Sequence, residues 1–280
     1  LRFLAPDLEK EESMRPLLNK KFYIDGRVYG RVNDLHIPNF EFKTLDNTHM
    51  LAKAHIKGLP DMEKLYVDLD LRKFTTGRRD IERLVAPSML PDSIQLPRSI
   101  SLNGTFKGGM TAFATKLDLI TEQGNASVNG NMRMARDTTY DMRVAIKDLN
   151  IGQILNQDSV LGIIAAEAEV KGTGLDPKTM QAQVKGAINR VDAMGYSYRD
   201  ITMDLESDLG DIRGNIHSPD PNIRFDLDLD ANMHDTYPRL TATLMVDSVN
   251  LQKLKLMNED FRYHGRVVAD FETMDMDYLN

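Results

Sequence analysis

The chain has 280 residues, a net charge of −7 and no cysteine. The acidic excess disfavours a nucleic-acid-binding surface, because contacts to phosphates need concentrated positive charge. Without cysteine, neither a disulfide framework nor a thiolate metal site can form. The longest apolar run, Val160 to Ala166, is far shorter than the roughly 20 residues that a membrane-spanning helix needs.

Apolar and polar residues alternate along most of the chain, a pattern typical of strands that bury one face and leave the other in water. Between Phe225 and Ala231, for example, apolar residues alternate with Asp226, Asp228 and Asp230. The pattern predicts strands, in chain order, at Phe22–Val32, Phe40–Leu45, His49–Lys57, Lys64–Leu71, Ile100–Lys107, Thr111–Thr121, Asn125–Met134, Tyr140–Lys147, Ala165–Lys171, Met180–Arg190, Ile201–Leu205, Asp211–His217, Phe225–Ala231 and Leu240–Val246. Turn signals such as Asp176-Pro177 and Pro219-Asp220-Pro221 separate them, which predicts an antiparallel meander.

Two short helices are predicted within this all-β chain. Thr76 is in position to cap a helix that runs to about Ala86 and ends before Pro87. A weaker helical pattern covers Glu11–Lys20, where Pro16 interrupts it.

An internal repeat is visible at an offset of one hundred residues. The segment Asp148–Leu155 reads DLNIGQIL and Ser248–Lys255 reads SVNLQKLK, so that Asn150 aligns with Asn250. The alternating strands before both segments share the same parity, and a one-residue slip would turn every side chain to the other face. A looser copy covers Val67 to Leu84. We interpret residues 1–280 as one repeat-built segment of a longer protein, with units at about 22–90, 91–160 and 161–256.

The sequence contains no motif that indicates catalysis, a cofactor or a metal. The six histidines lack metal-ligand spacing of the HExxH kind, and there is no GxSxG elbow, P-loop or dinucleotide fingerprint. His49 and His55 fall on the polar parity of their strand and are predicted to face solvent. The alternate aspartates at 226, 228 and 230 predict a wet outer face rather than a calcium loop. We therefore expect a protein that is not an enzyme.

Five segments of the chain carry a resemblance to a known family. They are Leu90–Pro97, Ile100–Gly108, Asp148–Leu155, Val170–Gly174 and Gly195–Ile201. In these segments the chain resembles the AsmA/TamB-like proteins of Gram-negative bacteria, and most closely the TamB-like translocation and assembly module proteins of Bacteroidetes.

The resemblance implies a long, curved antiparallel sheet, a U-shaped β-groove whose apolar concave face conducts or shields lipid across the periplasm. Its occupant would be a phospholipid or another acyl lipid. The parent protein would be anchored in the inner membrane by a helix outside this segment. It would also assist outer-membrane biogenesis and protein assembly, with an outer-membrane BamA-like barrel as the expected partner.

The apolar parity of the strands identifies the residues expected to line such a groove. These are Met110, Leu117, Leu119, Val128, Met132, Met134, Met142, Val144, Ile146, Met203, Leu205, Phe225, Leu227 and Leu229. Methionine is frequent, with 16 residues against no tryptophan, and flexible thioethers can form an adaptable surface. The same pattern also fits a structural or adhesive β-sandwich or β-solenoid module with a closed core.

Overall fold

The structure is a computed structural model that describes residues 20–85, 94–134, 136–234 and 238–272. The helix predicted at Glu11–Lys20 lies outside the described residues except for its last residue. Pro87 and the segment Leu90 to Ser93, which begins the family-like motif, also lie outside them.

Fifteen strands form one open antiparallel sheet in which the strand order follows the chain order. The predicted all-β class and long antiparallel meander are confirmed. The strands are β1 Phe22–Arg31, β2 Asp34–Thr44, β3 Thr48–Lys57, β4 Tyr66–Thr76, β5 Ile100–Gly109, β6 Ala112–Thr121, β7 Gly124–Arg133, β8 Thr139–Asn150, β9 Leu161–Thr173, β10 Gln181–Ala193, β11 Tyr196–Asp208, β12 Asp211–Ser218, β13 Ile223–Asn232, β14 Arg239–Asn250 and β15 Arg262–Glu272.

The chain divides into two compact units. The first contains Leu1–Asn129 and Asn150–Asp158, and the second contains Gly130–Leu149 and Ser159–Asn280. Within each unit, the strands that contact each other extensively are those that follow one another in the sequence. The three repeat units expected from the sequence stay a prediction.

Several strands differ from their sequence-based prediction. β4 ends at Thr76 rather than Leu71, β9 begins at Leu161 rather than Ala165, and β14 ends at Asn250 rather than Val246. β2 begins at Asp34 rather than Phe40, because a bulge between Ile37 and Phe40 shifts the alternation by one residue there. β11 begins at Tyr196 rather than Ile201. β15 was not predicted, since the adjacent Val267 and Val268 break the alternating pattern.

Two α-helices are described, α1 at Arg78–Leu84 and α2 at Ile151–Leu155, together with one 3-10 turn at Met62–Lys64. The predicted helix after β4 is confirmed, but the prediction that Thr76 caps it was wrong. The N-cap residue is Gly77, which has no side chain that could cap the helix. Thr76 instead ends β4, where its hydroxyl lies 2.9 Å from the hydroxyl of Thr48.

A buried carboxylate attaches α1 to the turn between β2 and β3. Asp80 is fully buried, and its Oδ2 accepts hydrogen bonds from the backbone N–H of Asn47 at 2.7 Å and from the hydroxyl of Thr48 at 2.9 Å. These bonds satisfy one oxygen of a group that is costly to bury without partners. Among the described residues, its Oδ1 has no hydrogen-bond partner.

The predicted equivalence of Asn150 and Asn250 is confirmed. Asn150 ends β8, and its Oδ1 accepts a hydrogen bond from the backbone N–H of Gln153 at 3.1 Å. Asn250 ends β14, and its Oδ1 accepts the corresponding bond from Lys253 at 2.9 Å. Both asparagines thus terminate a long strand and cap the turn that follows, which is the short helix α2 only in the first copy.

We predict that Asn150→Ala and Asn250→Ala each lower the free energy of unfolding by about 0.5–2 kcal/mol, the usual effect of losing an N-cap acceptor. Urea denaturation followed by circular dichroism measures the change. Asn150→Asp is the control, because aspartate keeps the acceptor and should cost much less. If only one of the two alanine variants is destabilised, the repeated asparagines do not share a role.

Few apolar side chains are fully shielded from solvent. In the described parts of the chain, the buried hydrophobic residues are Ala52, Leu71 and Leu254. Leu254 is completely buried and lies in the turn that Asn250 caps, whereas nearby Leu256 is 48% exposed. The turn after β14 therefore has a small hydrophobic anchor of its own.

Leu254→Ala should lower the free energy of unfolding by about 2–5 kcal/mol, because it removes buried methyl groups and leaves a cavity. The matched variant Leu256→Ala should change it by only about 0.5 kcal/mol, since that side chain is half exposed. Chemical denaturation of both proteins tests this. Equal effects would show that the turn does not enclose Leu254.

Candidate functional site: the apolar face of the sheet

In the second unit, the strand register aligns apolar residues into rows that cross seven strands. Directly paired residues of antiparallel strands project to the same face. One row, from β9 to β15, consists of Ala168, Gly186, Met203, Ile216, Leu227, Leu244 and Val267. The next consists of Val170, Val184, Leu205, Gly214, Leu229, Ala242 and Ala269. The rows are two residues apart on every strand and so share one face, called here the apolar face.

Four of the predicted groove residues, Met203, Leu205, Leu227 and Leu229, lie in these two rows. Phe225 lies two residues before Leu227 on β13, where it pairs with Ser218 and Val246. The register of β11 to β14 therefore brings these five side chains to one side of the sheet.

Large side chains of the apolar face lean over glycines of neighbouring strands. A Cβ atom added to Gly186 would lie 3.0 Å from Cγ of Met203, and one added to Gly214 would collide with the side chain of Leu205. The glycines thus make room for side chains from β11, so the surface is uneven rather than flat.

The same face continues onto β8. A Cβ at Gly130 would lie 2.6 Å from Sδ of Met142, and one at Gly172 would lie 2.6 Å from the hydroxyl of Tyr140. Gly172 pairs with Ala182 on the apolar face. The predicted residues Met132, Val144 and Ile146 follow these positions in alternation on β7 and β8. The predicted residue Val128, also on β7, belongs to the first unit.

The first unit has an apolar face built in the same way. One of its rows consists of Gly26, Phe40, Ala52, Leu71, Gly104 and Leu117. Another consists of Ile24, Phe42, Met50, Phe74, Leu102 and Leu119. The predicted residues Leu117 and Leu119 thus belong to rows that cross six strands.

Two predicted residues lie outside the strands. Met110 is in the turn between β5 and β6 and is 63% exposed, and Met134 directly follows β7 and is 40% exposed. Each lies one residue past the end of a strand, and the alternation in the sequence extends to include it. Strand register therefore does not place either side chain on the apolar face.

The apolar face of the second unit is not covered by its own described residues. None of the side chains in its two long rows is buried, and Val267 is 46% exposed. A second sheet packed on this face would bury these side chains in a core about 10 Å thick. In the described chain every strand belongs to the same single sheet.

The opposite face of the second unit is polar and charged. Lys185 lies 3.4 Å from Asp204 on the next strand, and Arg213 lies 3.6 Å from Asp230. The predicted wet face of β13 is confirmed, because Asp226, Asp228 and Asp230 pair with His217, Asn215 and Arg213 at distances of 2.8, 3.0 and 3.6 Å. Exposed pairs of this kind contribute only about 0.2–1 kcal/mol each, so they mark the solvated face more than they stabilise it.

A polar network links the segment Gly195–Ile201, at the start of β11, to the loop between β12 and β13. The Tyr196 hydroxyl donates a hydrogen bond to Oδ1 of buried Asp220 at 2.7 Å and accepts one from Asn222 at 3.0 Å. Burial and the bond to Asp220 both raise the pKa of Tyr196, and burial raises the pKa of Tyr198. Both phenols therefore stay protonated at neutral pH, and the network holds the loop between β12 and β13 in place.

The predicted solvent-side histidines lie on the polar face, each beside a carboxylate. His49 Nε2 is 2.9 Å from Glu41, and His55 Nε2 is 2.6 Å from Asp34. His36 joins Asp34 and His55 in one cluster. The spacing of histidines in the sequence did not predict this cluster, because its three residues come from two strands. Only the exact pairing of β2 with β3, which the bulge in β2 obscures, would have shown it.

Among the described residues, no helix has the length and apolar character needed to cross a membrane. Comparisons with protein-family models, with curated proteins and with solved structures gave no match. The resemblance to AsmA/TamB-like proteins therefore stays a prediction from the sequence.

Proposed function

We propose that this chain is a non-enzymatic segment of a protein that conducts or shields acyl lipid on the apolar face of its sheet. The observation that carries the proposal is the pair of apolar rows across β9 to β15, which remain unburied within the described second unit. Contiguous apolar surface beyond a few hundred Å² is rare on soluble monomers and marks sites of lipid, ligand or protein binding.

The dimensions of the rows suit a hydrocarbon chain. Neighbouring strands are about 4.8 Å apart, so a row that crosses seven strands is roughly 29 Å long. One leaflet of a bilayer has a hydrocarbon thickness of about 15 Å. A single acyl chain therefore fits along a row with room for movement.

The composition of the face favours a varied lipid cargo over one specific ligand. Its rows contain alanine, valine, leucine and glycine, with Met203 and Met142 as flexible side chains. Thioether side chains adapt to differently shaped partners. No charged residue belongs to either long row, so the rows themselves offer no group that would recognise a headgroup.

The cellular setting follows from the family resemblance. We place the segment in the periplasm, within a parent protein anchored in the inner membrane, where phospholipid would pass towards the outer membrane. An outer-membrane BamA-like barrel is the proposed partner. The amphipathic sheet supports this setting, since a charged face in water and an apolar face towards lipid suit an aqueous compartment between two membranes.

The proposal predicts that Met203→Glu lowers capture of a photoreactive fatty acid at least about tenfold. A carboxylate in the middle of an apolar row must lose water when an acyl chain covers it, which costs several kcal/mol. The matched control is Thr202→Glu, which adds the same group one residue away on the polar face, opposite His217 and Ala187. This control should capture lipid as the wild type does.

Melting temperatures of the same proteins separate an open face from a closed core. Met203 is only half buried, so a glutamate there should stay hydrated and shift the melting temperature by a few degrees at most. Equal capture by both variants and the wild type would contradict the apolar-face pathway. A collapsed melting temperature for Met203→Glu, with no lipid captured by the wild type, would instead support a structural module with a closed core.

A further inference from the structure

Three metal-binding side chains meet on the polar face of the first unit, where β2 pairs with β3. His36 and His55 are directly paired residues, and Asp34 is the first residue of β2. Oδ1 of Asp34 lies 2.6 Å from Nε2 of His55 and 3.6 Å from Nε2 of His36. The candidate ligand atoms of all three residues lie within 4.8 Å of one another.

Ring stacking orients the two imidazoles. The rings of His36 and His55 stack with centroids 3.9 Å apart and planes 24° apart. The ring of Tyr29 on β1 stacks against His36 at 5.2 Å and 9°. Three rings from three neighbouring strands therefore form one column on the polar face, beside the Asp34 carboxylate.

The immediate neighbours of the carboxylate are basic. Lys57 is paired with Asp34 on β3, and Nε2 of His55 lies 2.6 Å from its Oδ1. Asp68, the residue paired with His55 on β4, is itself engaged by Lys107 at 3.1 Å. The cluster thus presents one anionic oxygen, Oδ1 of Asp34, beside two imidazole nitrogens.

We propose that Asp34, His36 and His55 bind a divalent transition-metal ion of the Zn²⁺, Ni²⁺ and Cu²⁺ group. Imidazole nitrogens together with a carboxylate oxygen suit these ions, whereas Ca²⁺ and Mg²⁺ prefer oxygen ligands alone. The ion takes the place of the hydrogen between Asp34 and His55, and the neutral imidazole of His55 keeps its one N–H on Nδ1 as the other tautomer. The fourth position of a tetrahedral site is left for water.

The required movement is small. With bonds of about 2.0–2.1 Å, the ligands of a tetrahedral zinc ion lie roughly 3.3 Å apart. Ligand atoms that are now as far as 4.8 Å apart must therefore approach by at most about 1.5 Å. The Asp34 and His55 atoms, now 2.6 Å apart, must separate by about 0.7 Å. The side chains of Asp34, His36 and His55 are 51%, 39% and 31% exposed, so rotation about their χ angles can supply this without moving the strands.

Titration calorimetry with ZnCl₂ at pH 7.5 in a buffer free of chelators tests the site on the whole chain. The wild type should bind Zn²⁺, and His36→Gln, His55→Gln and Asp34→Asn should each weaken binding at least about tenfold, the lower range for losing even an indirect contributor to a metal site. His49→Gln is the matched control, because His49 lies on the same face of β3 beside Glu41 but is paired with Lys43 and Thr75 rather than with a histidine. It should leave the affinity unchanged.

Electron paramagnetic resonance with one equivalent of CuCl₂ gives a second measurement that does not depend on variant stability. The wild type should show hyperfine coupling to two imidazole nitrogens. The proposal is overturned if the wild type binds neither ion, if the copper signal shows no imidazole nitrogen, or if the three ligand variants bind Zn²⁺ as tightly as His49→Gln. The site is independent of the lipid proposal, because it lies on the polar face of the first unit and the lipid proposal concerns the apolar face of the second unit.

Discussion

The structure depends on register: antiparallel pairing sets directly opposed residues on one face, so the apolar face exists only while every strand keeps its parity. In the first unit, bulges maintain that parity where the sequence loses it. The spacing of apolar residues changes from two to three between Ile37 and Phe40 on β2 and between Leu71 and Phe74 on β4. The register shifts at both places. Each extra residue returns the following apolar side chain to the same face.

This constraint explains how much of the fold could be predicted. Strands with strict alternation, such as β13, were identified from the sequence because period two is itself the signal. β15 was missed because Val267 and Val268 are adjacent apolar residues, which face opposite sides of the sheet and so break the alternating pattern. The cap of α1 was assigned to Thr76 from residue type alone. In the structure that hydroxyl pairs with Thr48 across the sheet, a contact that only strand pairing reveals.

The candidate site could be predicted less completely than the fold. Alternation identified the correct parity for Met203, Leu205, Leu227 and Leu229, but it could not show which rows these residues join or that glycines at 186 and 214 lie beside two of them. It also could not place Met110, which the turn after β5 removes from the sheet. His36 and His55 are brought together by the register of β2 with β3. The spacing of the two histidines along the sequence therefore could not predict their contact.

The two faces of the sheet carry different chemistry, and the central claim concerns the apolar one. Native mass spectrometry of the protein purified from cells without detergent tests it most directly. The account predicts adducts with the masses of phospholipids or fatty acids, which dissociate on activation and are lost in Met203→Glu but kept in Thr202→Glu. A wild-type spectrum with the bare chain mass, or with adducts that both variants retain equally, would contradict the account.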